Sequence, residues 1–168
     1  VDHLKRRNLL AHDGVDPFDV AADQLFADRV SVLHIIGSSN AQLAGQELAR
    51  RLKVRHAGYV LRCIGLAKTI ENDMFPIRMT LGAQTAAEEG AKYFENVVAE
   101  HNSNPRMLII HEIKGRSAGW LAAATAREYR RRLDARHRYP ASLGCPREVF
   151  EVHAVYTPEM EIDFDSEI

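Results

Sequence analysis

The sequence predicts an α/β domain with a mostly parallel sheet, and three observations lead there. Short apolar runs alternate with segments of helical period along the chain, each run ends in a polar loop or a helix start, and no repeat or low-complexity linker interrupts the pattern. A chain of 168 residues can bury one substantial core, so residues 1–168 are expected to form a single domain. Ligands of such sheets gather in loops beyond the carboxyl ends of the strands.

The elements follow in order. Asp16 before Pro17 is a helix start, an N-cap acceptor followed by a residue whose missing N–H costs nothing there, and Phe18, Ala21, Ala22 and Leu25 share one face. Val30, Val32, Leu33, Ile35 and Ile36 make an apolar run ending at Gly37, short enough for a parallel strand buried on both faces. Ser39 with Gln42 three residues on fits a capping box, and Ala41, Ala44, Leu48 and Leu52 carry the helical period behind it. Residues 59–66 read as a second strand, 68–76 as a polar loop and 81–101 as a long helix, broken by Asn104 and Pro105. Residues 107–113 read as a third strand, 117–136 as a helix, and 149–156 as a last strand. The acidic tail from Pro158 reads as an edge segment or the end of a cut domain.

Composition excludes several classes of function. Lys plus Arg number 22 against 23 for Asp plus Glu, so no overall field draws the chain to nucleic acid or an anionic membrane. The run Arg127, Arg130, Arg131, Arg132, Arg136 and Arg138 has no interleaved aromatic stacking set and reads as a solvated helix end. Cys63 and Cys145 lack a CxxC spacing, which argues against a disulfide scaffold and a zinc site and fits a reducing cytoplasm. The eight histidines show no HExxH or i, i+4 pairing, and His111 and His153 fall inside expected strands as core or interface residues. No apolar run is long enough to cross a bilayer, and residues 1–8 are charged, unlike a signal peptide. The opening Val1 in place of Met is compatible with a sequence that starts inside a longer reading frame.

Polar residues collect after the expected strands. Gly37, Ser38, Ser39 and Asn40 place hydroxyls and free amides at a helix start, which serves either an anion such as phosphate or plain capping. Lys68, Thr69, Glu71 and Asp73 set a cation, a hydroxyl and two carboxylates within a few residues. Phosphoryl transfer uses such a set, since positioned charge stabilises its transition state and a carboxylate accepts the proton of the attacking hydroxyl. A solvated polar loop is the other reading. Lys114 and Arg116 flank Gly115 at a helix entrance, either as a phosphate clamp or as exposed cations.

Two of these stretches carry a family resemblance. AKTIEND, from Ala67 to Asp73, resembles the PKTIDND motif of phosphofructokinases, and KGRSAGW, from Lys114 to Trp120, resembles their MGRxxGW motif, in the same order. PIRMTLGAQTAAEEGAKYFENVVAEHNSNPRMLIIHE and HAVYTPEMEID are similar to the pyrophosphate-dependent branch, so the resemblance spans nearly the whole chain. It implies a three-layer Rossmann-like fold and a glycolytic transfer of phosphate from pyrophosphate to the C1 hydroxyl of fructose 6-phosphate. In that reading Lys68 marks pyrophosphate as donor, Glu71 is the catalytic base and Asp73 its acidic companion. Thr69, Lys114, Gly115 and Arg116 contact the sugar phosphate, and Glu159 binds the sugar. A cytoplasmic homo-oligomer using Mg2+, with no nucleic acid or membrane partner, completes the expectation.

The departures from the family pattern are specific. The family's GGDD loop, whose aspartate serves magnesium, stands here as Gly37, Ser38, Ser39 and Asn40, with no carboxylate. The base is Glu71 rather than aspartate, and Lys114 replaces a methionine. The family's Gly-rich phosphate loop and second domain have no counterpart, so the chain is expected to be a truncated excerpt of impaired activity. The alternative is a non-catalytic sugar-phosphate-binding or interaction subunit.

Overall fold

A computed structural model describes residues 14–101, 107–136 and 147–167. Residues 1–8, the Asn104–Pro105 break, Arg138 and Cys145 lie outside the described residues. The chain divides into two compact units, Val1–Lys68 and Thr69–Ile168.

In the first unit, helix α1 spans Pro17–Ala27, and the Asp16 carboxylate accepts the Phe18 amide at 3.0 Å, as its sequence foretells. Strand β1 is Val32–Gly37, helix α2 is Ser39–Arg55 and strand β2 is Arg62–Ala67. The two strands pair in parallel, from Val32 opposite Arg62 to Gly37 opposite Ala67. Helix α2 packs on both strands, and its close approach needs Gly45, where an added Cβ would stand 2.1 Å from Ile35 Cδ1. Leu52 of α2, 1% exposed, anchors this core. Arg51 of α2 reaches Asp16, Asp19 and Glu47, Arg55 reaches Asp23, and Phe26 stacks on His56 at 3.8 Å, so charge and ring contacts join α1 to α2.

Two expectations for this unit need correction. Strand β1 is not buried on both faces: Leu33 and Ile35 are half-buried while Val32, His34 and Ile36 are exposed, because a helix of this unit covers one side only. Nor does Ser39 form a capping box. Ser38 is the N-cap, in extended conformation and without a side-chain bond, and the Gln42 amide donates instead to the carbonyls of Ile35, Gly37 and Leu66 at 3.0–3.3 Å. Only two protons serve those three acceptors, so the bonds are shared.

The second unit is built on helices α3, Ala83–His101, and α4, Trp120–Arg136. Small residues on α3 let the pair close: Ala87 meets Leu121 and Ala124, and Ala91 and Val98 meet Tyr129. The Tyr129 hydroxyl donates to the Phe150 carbonyl at 2.6 Å, and burial pushes its pKa up to about 12. The strands expected at 107–113 and 149–156 are absent. Arg147–Phe150 is a 3-10 turn, the rest is irregular, and a short helix α5 follows at Phe164–Glu167. A strand is defined by its ladder, and among the described residues only β1 and β2 pair, leaving Leu108 and Ile110 83% and 88% exposed.

The remaining expectations fall out individually. His111 sits against Tyr93 and Phe94, while His153 is exposed and belongs to no core. Four arginines of the basic run are paired: Arg130 with Glu151, Arg131 with Glu128, and Arg132 and Arg136 with Glu95. Cys63 is a free, exposed thiol. Among the described residues no helix is long and apolar enough to cross a membrane.

Candidate active site

The turn after β1 belongs to the first unit. Gly37 ends the strand half-buried, and its carbonyl accepts the backbone amide of Lys68 at 3.0 Å. Ser39 and Asn40 are exposed on the first turn of α2. Lys68 leaves the end of β2 with an exposed side chain, so parallel pairing sets the Gly37 turn and Lys68 side by side.

The loop that follows, at the start of the second unit, is closed by its own polar groups. The Thr69 hydroxyl accepts the Glu71 amide at 3.2 Å, a short-range bond that turns the chain. Asn72 stands at φ 52°, a left-handed conformation that asparagine tolerates, and its Oδ1 accepts the Thr80 amide at 2.8 Å. The Thr80 hydroxyl donates to the Thr69 carbonyl at 2.7 Å, with Asn72 Oδ1 3.2 Å away. Thr80 is 2% exposed. Glu71 therefore lies between two residues that are both tied to Thr80. Asp73 is exposed, and beyond it Phe75 and Pro76 are joined by a cis peptide bond.

Lys114 Nζ lies 3.6 Å from Glu71 Oε1, with side-chain exposures of 72% and 27%. Such a pair in water contributes about 0–1 kcal/mol, so its value is orientation and local charge rather than stability. Gly115 has φ 144°, and an added Cβ would meet the Ala118 carbonyl oxygen at 2.3 Å, so the turn into α4 requires glycine. Arg116 is exposed. Glu159 closes the opposite side of that turn: its Oε1 accepts the Gly119 amide at 2.8 Å, immediately before α4. The Gly119 amide, with the residue's own amide and the Thr157 hydroxyl, holds the Glu159 carboxyl below the usual carboxylate range.

The geometry thus brings Glu71 and Lys114 together, ties Thr69 to Glu71, and sets Glu159 against the helix start behind Gly115 and Arg116. Among the described residues no ion pair joins Asp73 or Arg116 to the Glu71–Lys114 pair. Asn72 and Thr80 escaped sequence reasoning. The signal available was weak, an asparagine between two acids and a threonine just before a helix, and neither says that the two meet.

Comparison with known proteins places the chain. The family model described as phosphofructokinase matches residues 5–129. The chain is 55% identical over 158 residues to a protein of Methylomonas methanica named pyrophosphate–fructose 6-phosphate 1-phosphotransferase, covering 94% of this chain and 38% of that one. A protein of the same name from Methylotuvimicrobium alcaliphilum is 55% identical over 166 residues, covering 99% and 39%. This chain thus spans under half the length of these curated relatives. The crystal structure of a pyrophosphate-dependent phosphofructokinase from Marinobacter aquaeolei shares the fold, with a TM-score of 0.56 over 66% of this chain and 29% of that one at 24% identity. With the TIEND and KGRSAGW segments both inside the matched region, the chain belongs to the phosphofructokinase family.

Proposed function

We propose that this chain is part of an enzyme that moves phosphate from pyrophosphate to the C1 hydroxyl of fructose 6-phosphate, with Glu71 as the base. The observation that carries the reading is the Glu71 carboxylate, partly buried, restrained on both sides in the chain and faced by Lys114 at 3.6 Å. The names of the relatives at 55% identity point to the same donor and acceptor.

In this reaction Glu71 takes the proton of the C1 hydroxyl while the freed oxygen attacks one phosphorus of pyrophosphate. The new P–O bond forms, the bridging P–O bond breaks, and inorganic phosphate leaves with the electron pair. Lys68, three residues ahead of Glu71 in the chain, offsets the charge of the donor. Arg116 supplies a fork for the sugar phosphate, and the Lys114 ammonium, 3.6 Å from the Glu71 carboxylate, adds a second cation beside it. The anionic Glu159, fixed to the Gly119 amide, presents acceptors to sugar hydroxyls.

Family enzymes of this kind call for magnesium, and the Gly37–Asn40 turn has no carboxylate where the family pattern places an aspartate for it. That turn offers only hydroxyls and an amide. That turn favours a second reading, a non-catalytic sugar-phosphate-binding subunit. The cytoplasmic setting and the homo-oligomer rest on the family resemblance. The test is a coupled assay of the full-length protein with fructose 6-phosphate and either pyrophosphate or ATP. Turnover with pyrophosphate is expected. Tight fructose 6-phosphate binding by calorimetry without turnover from either donor would establish the second reading.

A further inference from the structure

The Glu71 loop contains a device that neither its motif nor its relatives' names assign. Its acid lies at residue 71, yet the hydrogen bonds that shape it converge on Thr80, nine positions away. Thr80 is buried to 2% exposure, its hydroxyl donates to the Thr69 carbonyl at 2.7 Å, and its amide donates to Asn72 Oδ1 at 2.8 Å. One residue thus restrains the backbone just before Ile70–Glu71 and the side chain just after. Asn72 also donates to the Arg78 carbonyl at 3.4 Å and carries the left-handed φ of 52°. A hydroxyl with no access to water can be removed only by leaving the Thr69 carbonyl short of a partner, so the clamp is sensitive to a single atom. Thr80 is anchored in turn: it directly precedes the loop into α3, where the Ala83 amide donates to its carbonyl.

We propose that Thr80, acting through Thr69 and Asn72, is a positioning residue that fixes the Glu71 carboxylate for proton abstraction. The role rests on the reading of Glu71 as base. Thr80, 2% exposed, acts through its neighbours. A shift of the carboxylate by about 1 Å costs on the order of 100-fold in rate, so loss of the clamp acts on kcat while substrate contacts elsewhere keep KM.

The experiment compares Thr80→Val, which keeps the branched shape without the hydroxyl, with Thr80→Ser, which keeps the hydroxyl. Both are made in the full-length protein. Backbone amide exchange by mass spectrometry is expected to quicken in peptides covering residues 69–73 in Thr80→Val, to stay near wild type in Thr80→Ser, and to stay unchanged in α3 in both. In the coupled assay kcat of Thr80→Val is expected to fall about 10- to 100-fold with KM of fructose 6-phosphate within about threefold, and Thr80→Ser to recover most of it. Unchanged exchange in residues 69–73, or equal loss in the two variants, overturns the clamp. A wild-type protein without turnover would overturn the reading of Glu71 as base while the exchange data still decide the clamp. If exchange quickens in α3 as well, the Thr80→Val loss is one of folding and the positioning role is rejected.

Discussion

The turn after β1 and the loop after β2 follow two paired strand ends, hydrogen-bonded within the first unit by the Lys68 amide on the Gly37 carbonyl, yet they are built for different ends. The first is held by Gln42, whose amide spans carbonyls of both strands, and its own Ser39 and Asn40 stay exposed and uncharged. The second binds itself through Thr69, Asn72 and Thr80 and leaves a carboxylate facing an ammonium. In a parallel sheet both positions are ligand-side, so place in the fold does not decide chemistry; the side chains set there do.

Substitutions can break that contrast. Glu71→Gln keeps the shape of the loop and removes the proton acceptor, so kcat for pyrophosphate-dependent transfer is expected to fall about 100- to 10,000-fold with thermal stability unchanged. In the turn the order reverses. Gln42→Leu leaves strand carbonyls unsatisfied and is expected to lower stability by about 1–3 kcal/mol in urea denaturation. Lys114→Met removes an exposed ammonium and is expected to change kcat by about fivefold or less, measured in the same assay.

The smallest effect lies away from both. Bonds from Arg55 and then His56 lower the Asp23 pKa from 3.8 to about 2, so the folded state binds its proton less readily than the unfolded chain. That contribution is present above about pH 4 and is lost as pH falls toward 2. Asp23→Asn is expected to flatten slightly the acid side of the Tm–pH curve, and a curve as steep as wild type would remove Asp23 from the acid response.

Much of this architecture was legible in the chain, for reasons that are local. Asp16–Pro17 signals a helix start through its own capping chemistry, and the apolar run to Gly37 and the helical period behind it need no distant partner to be read. The strands expected at 107–113 and 149–156 do not form, because apolar periodicity reports a preference, while a ladder needs a neighbour. At the site, Lys68, Thr69 and Glu71 stand out as a motif, whereas Gln42 looked like a cap and is a strand tie, and the Thr80 clamp depends on a meeting across the loop that spacing does not encode.

The role of Glu71 is tested by the turnover of Glu71→Ala in the full-length protein with and without added formate. A deep loss of phosphate transfer from pyrophosphate, partly restored by the small carboxylate in a saturable way, is the expected result. Transfer at the wild-type rate in Glu71→Ala would show that the proton leaves by another route and that the loop after β2 is not where the reaction is driven.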